Sequence, residues 1–160
     1  MTLDIAVVHG NYFARGGGEV VAEEIARTFD APLYYGFGDE DSVPDNDVDI
    51  RSLFDDRLAS LGKESIYFRD LYYMWAFQHV PELYEYDVVI QSGNEMGWYV
   101  PPEDQAIVKY VHSTPRTPYD RFQDKGHETL TKLYSLLARI LYYPNLPYPD
   151  VYAANSELVE

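Results

Sequence analysis

The sequence predicts an α/β fold, in which one doubly wound parallel sheet is covered by helices on both faces. Two observations support this fold class. The chain opens with a buried strand, a glycine-rich turn and an amphipathic helix, and apolar strands then alternate with helical segments to its end. Strands that are joined through crossover helices pair in parallel. At 160 residues, one domain is the expected count.

The first unit of this pattern lies within residues 4–29. Residues 4–9 form the predicted first strand, and residues 18–29 form the helix that follows it. The apolar residues of this helix recur at helical spacing, which predicts that they make its buried stripe. These residues are Val20, Val21, Ile25 and Phe29.

Residues 31–79 continue the alternation. A second strand is predicted over 31–37, and the acidic segment 39–49 reads as a solvated loop. Residues 50–61 predict a short helix that ends at Gly62, and residues 64–79 predict a longer one. The longer helix is rich in aromatic residues, for which packing in the core is favoured over stacking on sugar rings or contact with lipid.

The second half of the chain continues the alternation of strands and helices. Strands are predicted over 86–91, 107–112 and 151–154, and residues 119–143 are predicted to be mostly helical. The apolar residues from Leu130 to Leu141 are expected to pack in the core, with contact at a membrane surface as the alternative. In a wound sheet of this kind, ligands bind at the carboxyl ends of the strands.

Acidic residues far outnumber basic ones. The chain has 27 Asp plus Glu against 12 Lys plus Arg, which gives a formal net charge of -15. Repulsion among these charges destabilises the compact state at low ionic strength and is screened at high salt. We therefore hypothesise a halophilic source, with an ordinary acidic protein as the alternative. No nucleic acid partner is expected, because neutralising phosphates requires a basic surface.

Three consecutive glycines, Gly16, Gly17 and Gly18, lie between the first strand and its helix. Backbone N–H groups at a helix amino terminus, with no Cβ in the way, favour an anionic or hydroxyl-bearing ligand. The dinucleotide fingerprint would require glycine at position 21, which is Val21, and the phosphate-loop motif is also absent. A flexible turn before a helix is the alternative interpretation.

A second candidate segment runs from His112 through Pro115 to Arg116, at the end of the predicted strand 107–112. An imidazole in this position can donate to a substrate hydroxyl or phosphate, and the guanidinium of Arg116 offers a planar fork suited to phosphate. The alternative gives His112 a capping or core role and pairs Arg116 with Asp120.

Three motifs therefore follow one another along the chain: Gly16-Gly17-Gly18-Glu19, the segment from His112 to Tyr119, and Ala154-Asn155-Ser156. Together they resemble the amino-terminal half of the retaining glycosyltransferases of family 4, which have the GT-B architecture. The resemblance covers almost the whole chain. For Asn155 and Ser156, a helix N-cap role is the favoured alternative.

The resemblance implies that residues 1–160 form the Rossmann-like, acceptor-side domain of such an enzyme, and that the donor-binding domain follows Glu160. A hexose would pass from a nucleotide-sugar donor to a glycan or lipid-linked acceptor with retention of configuration. The paired donor-domain glutamates of the family would lie beyond Glu160, so these residues alone are expected to be inactive. We expect a cytoplasmic protein, with peripheral contact at the inner face of a membrane left open.

The resemblance also implies roles for individual residues. His112 would be the catalytic residue, because it would hydrogen-bond the transferred sugar. Gly16 and Gly17 would approach the donor phosphates or the acceptor, and Arg116 would help to set the acceptor side. Gly18, Asn94 and Tyr119 would also bind substrate. No cofactor and no metal are implied, because helix ends and cationic side chains stabilise the departing diphosphate in such enzymes. From topology alone, Asn94, Glu95 and Trp98 are expected to line the acceptor pocket.

Two other functions are kept as alternatives. One is an NAD-dependent sugar-nucleotide oxidoreductase or epimerase, in which Asp39 would bind a ribose. Position 21 is valine, where the dinucleotide fingerprint requires glycine, and this argues against the function. The absence of a Tyr-x-x-x-Lys pair argues against it as well. The other is a non-catalytic interaction module, which would bind a protein partner and no sugar or nucleotide.

We predict that the melting temperature rises from dilute buffer to molar KCl, because salt screens the repulsion within a chain of net charge -15. Thermal unfolding followed by circular dichroism across a KCl series measures this. A melting temperature that falls or stays flat across the series would reject the halophilic hypothesis.

Overall fold

The computed structural model describes residues 2–93, 95–112, 136 and 148–154. Within these residues, six strands form one sheet in which all pairings are parallel. This confirms the predicted α/β fold with a parallel sheet. The strands are β1 (Ile5–Tyr12), β2 (Leu33–Gly38), β3 (Ile50–Ser52), β4 (Val88–Ser92), β5 (Ala106–Val111) and β6 (Val151–Ala154).

Helices cover both faces of this sheet. The helices in the described residues are α1 (Gly17–Phe29), α2 (Ala59–Glu64) and α3 (Ile66–Ala76). Successive side chains of a strand point to opposite faces, so the sheet divides the core into two clusters. On one face α1 packs against Val7 and Leu33. On the other, α2 and α3 pack against Ala6 and Val8.

The strand order is β3-β2-β1-β4-β5-β6. From β1 the chain winds outward to β2 and β3, crosses back through α2 and α3, and then winds outward in the other direction from β4. The direction of winding therefore reverses between β1 and β4. In an open parallel sheet, a crevice forms outside the carboxyl ends of the strands at such a reversal.

The buried face of α1 differs from the predicted stripe. Val20 is 37% exposed and Phe29 is 51% exposed, while Ala22 and Ala26 are buried. The predicted stripe was therefore wrong at both of its ends. Small side chains allow the helix axis to lie close to the sheet, and the larger apolar residues are displaced to its flanks.

Residues 50–61 also differ from the prediction of a single helix. Ile50–Ser52 is the short strand β3, and α2 begins only at Ala59 after a 3-10 turn. Gly62 lies inside α2 and does not end it. A Cβ added to Gly62 would lie 2.5 Å from Cδ2 of Phe37, so the glycine allows α2 to pack closely against β2. The helix predicted over 119–143 lies outside the described residues, apart from Leu136.

Tyr73 of α3 connects the carboxyl ends of β1 and β2. Its hydroxyl donates to the carbonyl oxygen of Gly10 at 2.7 Å and lies 2.8 Å from Oδ1 of Asn11. The same hydroxyl accepts the N–H of Phe37 at 2.8 Å. Burial raises the pKa of Tyr73. Core packing is thus confirmed for Tyr73, although Trp75 of the same aromatic helix is 63% exposed.

We predict that Tyr73→Phe lowers the free energy of unfolding by about 1–3 kcal/mol, because the buried N–H of Phe37 loses its acceptor. Urea denaturation of the variant and the parent protein measures the difference. Tyr72→Phe is the matched control, since Tyr72 stacks on the same Phe37 ring and its hydroxyl has no hydrogen-bond partner among the described residues. Equal stability of the two variants would contradict the role of Tyr73.

Candidate functional site

His9 lies at the reversal between β1 and β4. It pairs in register with Ser92, and its ring donates from Nδ1 to the carbonyl oxygen of Ser92 at 2.6 Å. His9 is 8% exposed. With Nδ1 turned to the backbone of β4, Nε2 is the ring nitrogen that faces the first turn of α1.

Glu19, in the first turn of α1, contacts that ring. Its Oε1 lies 3.4 Å from Nε2 of His9, and its Oε2 accepts the N–H of Gly16 at 2.9 Å. The hydrogen bond with His9 lowers the pKa of Glu19, although burial acts in the opposite direction. A carboxylate of the chain itself therefore occupies the amino-terminal end of α1, where the helix dipole favours negative charge.

His112 follows β5 and lies on the other side of His9. Its Nε2 is 2.7 Å from Oγ of Ser92, and the two imidazole rings are nearly perpendicular with centroids 6.2 Å apart. Burial lowers the pKa of His112, and the neighbouring His9 lowers it further. The lowered pKa favours the neutral imidazole, and His112 lies at the edge of the sheet where ligands bind.

The glycine turn lies at the same edge. A Cβ added to Gly18 would lie 3.5 Å from Cε1 of His9, whereas a Cβ added to Gly17 would meet no atom within 4 Å. Gly18 and His112 thus both lie next to one buried histidine, His9. The space around Gly17 is open, so nothing in the described part of the chain requires glycine there.

A buried carboxylate anchors this turn. Glu23 of α1 is 1% exposed, and it accepts the hydroxyl of Tyr12 as well as the amide of Asn46 at 3.0 Å. Arg15 donates to it from both Nε and Nη2 at 2.9 Å. The hydrogen bonds from Arg15 lower the pKa of Glu23 against the effect of burial. Because Arg15 directly precedes the glycines, this network fixes the turn relative to β1 and α1.

Glu95 lies on the opposite, α3 face of the same crevice. Its side chain packs against Gly10, where an added Cβ would lie 2.8 Å from Oε2 of Glu95. The amide of Asn11 is 3.5 Å from the other carboxylate oxygen. The crevice therefore has an imidazole side on the face of α1 and a carboxylate side on the face of α3.

The remaining sequence-predicted residues divide into three groups. Asn94, Arg116 and Tyr119 lie outside the described residues. Trp98 is buried in the core on the α3 face, and its place in an acceptor pocket stays a prediction. Asp39 lies at the end of β2 and forms an ion pair with Lys63.

Sequence reasoning assigned no role to His9 or Glu19. His9 is a polar residue at the end of an otherwise apolar segment, which is the signal that could have identified it. Glu19 was part of the glycine motif, but its contact with His9 depends on how closely the first turn of α1 approaches β1. Spacing along the chain does not reveal that distance.

Comparison with known proteins adds no relative. No protein-family model, no curated protein and no solved structure matched this chain. Among the described residues, no group of three or more His, Asp or Glu side chains is arranged to hold a metal ion. None of the helices in the described ranges has the length and apolar character needed to cross a bilayer.

We predict that Glu19→Gln destabilises the protein at pH 6 and has a smaller effect as the pH falls toward 3. The folded-state pKa of Glu19 lies below its usual value of 4.5, so its contribution to stability is complete above that value. The contribution is lost as the pH falls through the lowered pKa. Urea denaturation at a series of pH values measures the difference from the parent protein.

Glu24→Gln is the control, because Glu24 is an exposed carboxylate on the same helix and pairs only at the surface, with Arg27. This variant is expected to differ from the parent by less than about 0.5 kcal/mol. A Glu19→Gln effect that is absent at pH 6, or unchanged down to pH 3, would contradict the His9–Glu19 interaction.

Proposed function

We propose that this chain is the acceptor-side domain of a retaining glycosyltransferase, which transfers a hexose from a nucleotide sugar to a glycan or lipid-linked acceptor. One observation carries the proposal. The glycine turn and His112, which come from separate motifs of the resemblance, both lie next to His9 at the reversal between β1 and β4. Ligands of wound sheets bind at this position.

In the proposed reaction, His112 hydrogen-bonds a hydroxyl of the transferred sugar. Its lowered pKa favours the neutral form of the imidazole, which can hydrogen-bond the sugar without adding charge to the crevice. The diphosphate leaves and the acceptor hydroxyl attacks on the same face of the sugar ring, which retains the configuration. Charge on the departing diphosphate is stabilised by helix ends and cationic side chains, largely those of a second domain.

The glycine turn suits the acceptor better than the donor phosphates. The Glu19 carboxylate already occupies the amino-terminal end of α1, and it would repel a diphosphate. A sugar hydroxyl, in contrast, can donate to a carboxylate and can approach the open space above Gly17. This charge arrangement supports the assignment of the chain to the acceptor side.

The proposal also includes a second, donor-binding domain, a cytoplasmic location and a halophilic source. The cysteine-free composition supports an intracellular location, and the net charge of -15 supports the halophilic source.

We predict that Gly17→Ala separates stability from activity. The added methyl group meets no atom of the described chain, so the melting temperature stays equal or rises, as expected when alanine replaces glycine in a helix. Hexose transfer falls at least about tenfold, because the methyl group fills space that the acceptor uses. Transfer is measured on the polypeptide that the complete reading frame encodes, with a panel of nucleoside-diphosphate hexoses.

Leu71→Ala is the control, because Leu71 is an exposed residue of α3 that none of the site's contacts involves. It should leave transfer unchanged. If Gly17→Ala retained full transfer, the glycine turn would not be part of the acceptor site. Absence of transfer by the parent polypeptide with every donor would overturn the proposed function.

A further inference from the structure

Arg69 of α3 lies at the carboxyl edge of the sheet, on the α3 side of the crevice. Its guanidinium carbon is 6.0 Å from the ring centroid of Phe13, which directly follows β1. One turn later in the same helix, the Tyr73 hydroxyl donates to the carbonyl oxygen of Gly10 near the end of that strand. Burial raises the pKa of Tyr73, and the positive charge of Arg69 acts in the opposite direction. The guanidinium therefore lies beside the last residues of β1, where the crevice opens.

The Arg69 guanidinium has no hydrogen-bond acceptor in the part of the chain that the structure describes. Its Nε is buried and unpartnered. The side chain as a whole is only half-buried, and its two terminal nitrogens, unlike Nε, are not shielded from solvent. The other arginines of the described part form ion pairs with carboxylates: Arg15, Arg27, Arg51 and Arg57. Among the described residues Arg69 forms none, although the chain has a net charge of -15.

This arrangement has a cost for folding alone. The positive charge of a guanidinium is shared among its three nitrogens, so sealing Nε from water without an acceptor is unfavourable. The contact with Phe13 is a weak attraction while the terminal nitrogens stay in water. A methionine at this position would keep the apolar contact without the buried nitrogen. An anion held by the two terminal nitrogens would offset the cost, because it interacts with the same delocalised charge.

The α3 side also suits an anion better than the amino-terminal end of α1 does. Glu19 occupies that end of α1 and would repel an anion. On the α3 side, Glu95 contacts Gly10 within β1. Arg69, in contrast, contacts Phe13 beyond the end of that strand, so the guanidinium lies outside the carboxylate along the strand direction. Its two terminal nitrogens form a planar fork that matches two oxygens of one phosphate group.

We propose that Arg69 binds a phosphate group of the ligand that occupies the crevice, through its two terminal nitrogens. The nucleotide-sugar donor and a lipid-linked or phosphorylated acceptor both carry this group. The inference rests on the proposed function for the source of the phosphate, while the site itself requires only a phosphorylated ligand. The α1 side of the crevice then binds hydroxyl groups at Glu19, and the α3 side binds the phosphate.

Isothermal titration calorimetry of the protein with three probes tests this site: glucose, glucose 6-phosphate and inorganic pyrophosphate. Glucose 6-phosphate represents a phosphorylated acceptor, and pyrophosphate represents the diphosphate of a donor. We expect at least one of the two phosphate probes to bind about tenfold or more tightly than glucose, as one charge-assisted hydrogen bond provides. The tighter of the two identifies the source of the phosphate.

Arg69→Met keeps an apolar contact with Phe13 and removes the guanidinium. We expect this variant to bind the phosphate probes about tenfold more weakly than the parent. Its melting temperature should stay close to that of the parent, because the buried Nε that it loses had no partner. Arg57→Met is the matched control, since it removes the same charge from an exposed arginine whose carboxylate partner is 4.0 Å away. It should keep the affinity of the parent for all three probes.

Four results would overturn the inference: equal binding of all three probes, unchanged affinity in Arg69→Met, an equal loss of affinity in Arg57→Met, or a marked drop in the melting temperature of Arg69→Met alone. The last result would give the side chain a structural role. Binding is measured without transfer, so the site can stand where the transfer assay fails. Conversely, hexose transfer by the parent, together with phosphate binding that does not depend on Arg69, would remove this site and leave the proposed function standing.

Discussion

The parallel pairing of β1 with β4 is the constraint on which the rest of the structure depends. It joins two strands that are distant in the chain, and it places His9 beside Ser92 in register. That register brings the Nδ1 proton of His9 to the backbone of β4 and leaves its other nitrogen to Glu19. A shift of one residue would turn His9 to the α3 face and separate it from both partners. The crevice therefore exists because this pairing is fixed by core residues on both faces.

The fold could be predicted because most strands are continuous apolar segments next to helices or turns. The strand predicted over 151–154 has the predicted bounds as β6. The three-residue strand β3 was missed, because so short a segment carries too little periodicity to distinguish it from a helix. Gly62 was misinterpreted as a helix end, since its reason lies in a distance to Phe37 that the sequence does not contain.

The candidate site was predictable only in part, and for a similar reason. Positions at the ends of strands follow from topology, so the glycine turn and His112 could be selected before the structure was known. The contacts of His9 with Ser92 and Glu19 join residues from different elements, and no spacing along the chain encodes them. The carboxylate at the end of α1 matters most here, because it favours the hydroxyl-bearing ligand over the anionic one of the two that the glycine turn left open.

A crystal structure of the protein with a bound sugar acceptor would test most directly whether the crevice between β1 and β4 binds sugars. The account predicts that the sugar lies above Gly17, with a hydroxyl group within about 3 Å of Glu19 or of the imidazole of His112. A sugar bound only elsewhere, for example in the groove beside Trp75 at the far end of α3, would contradict it.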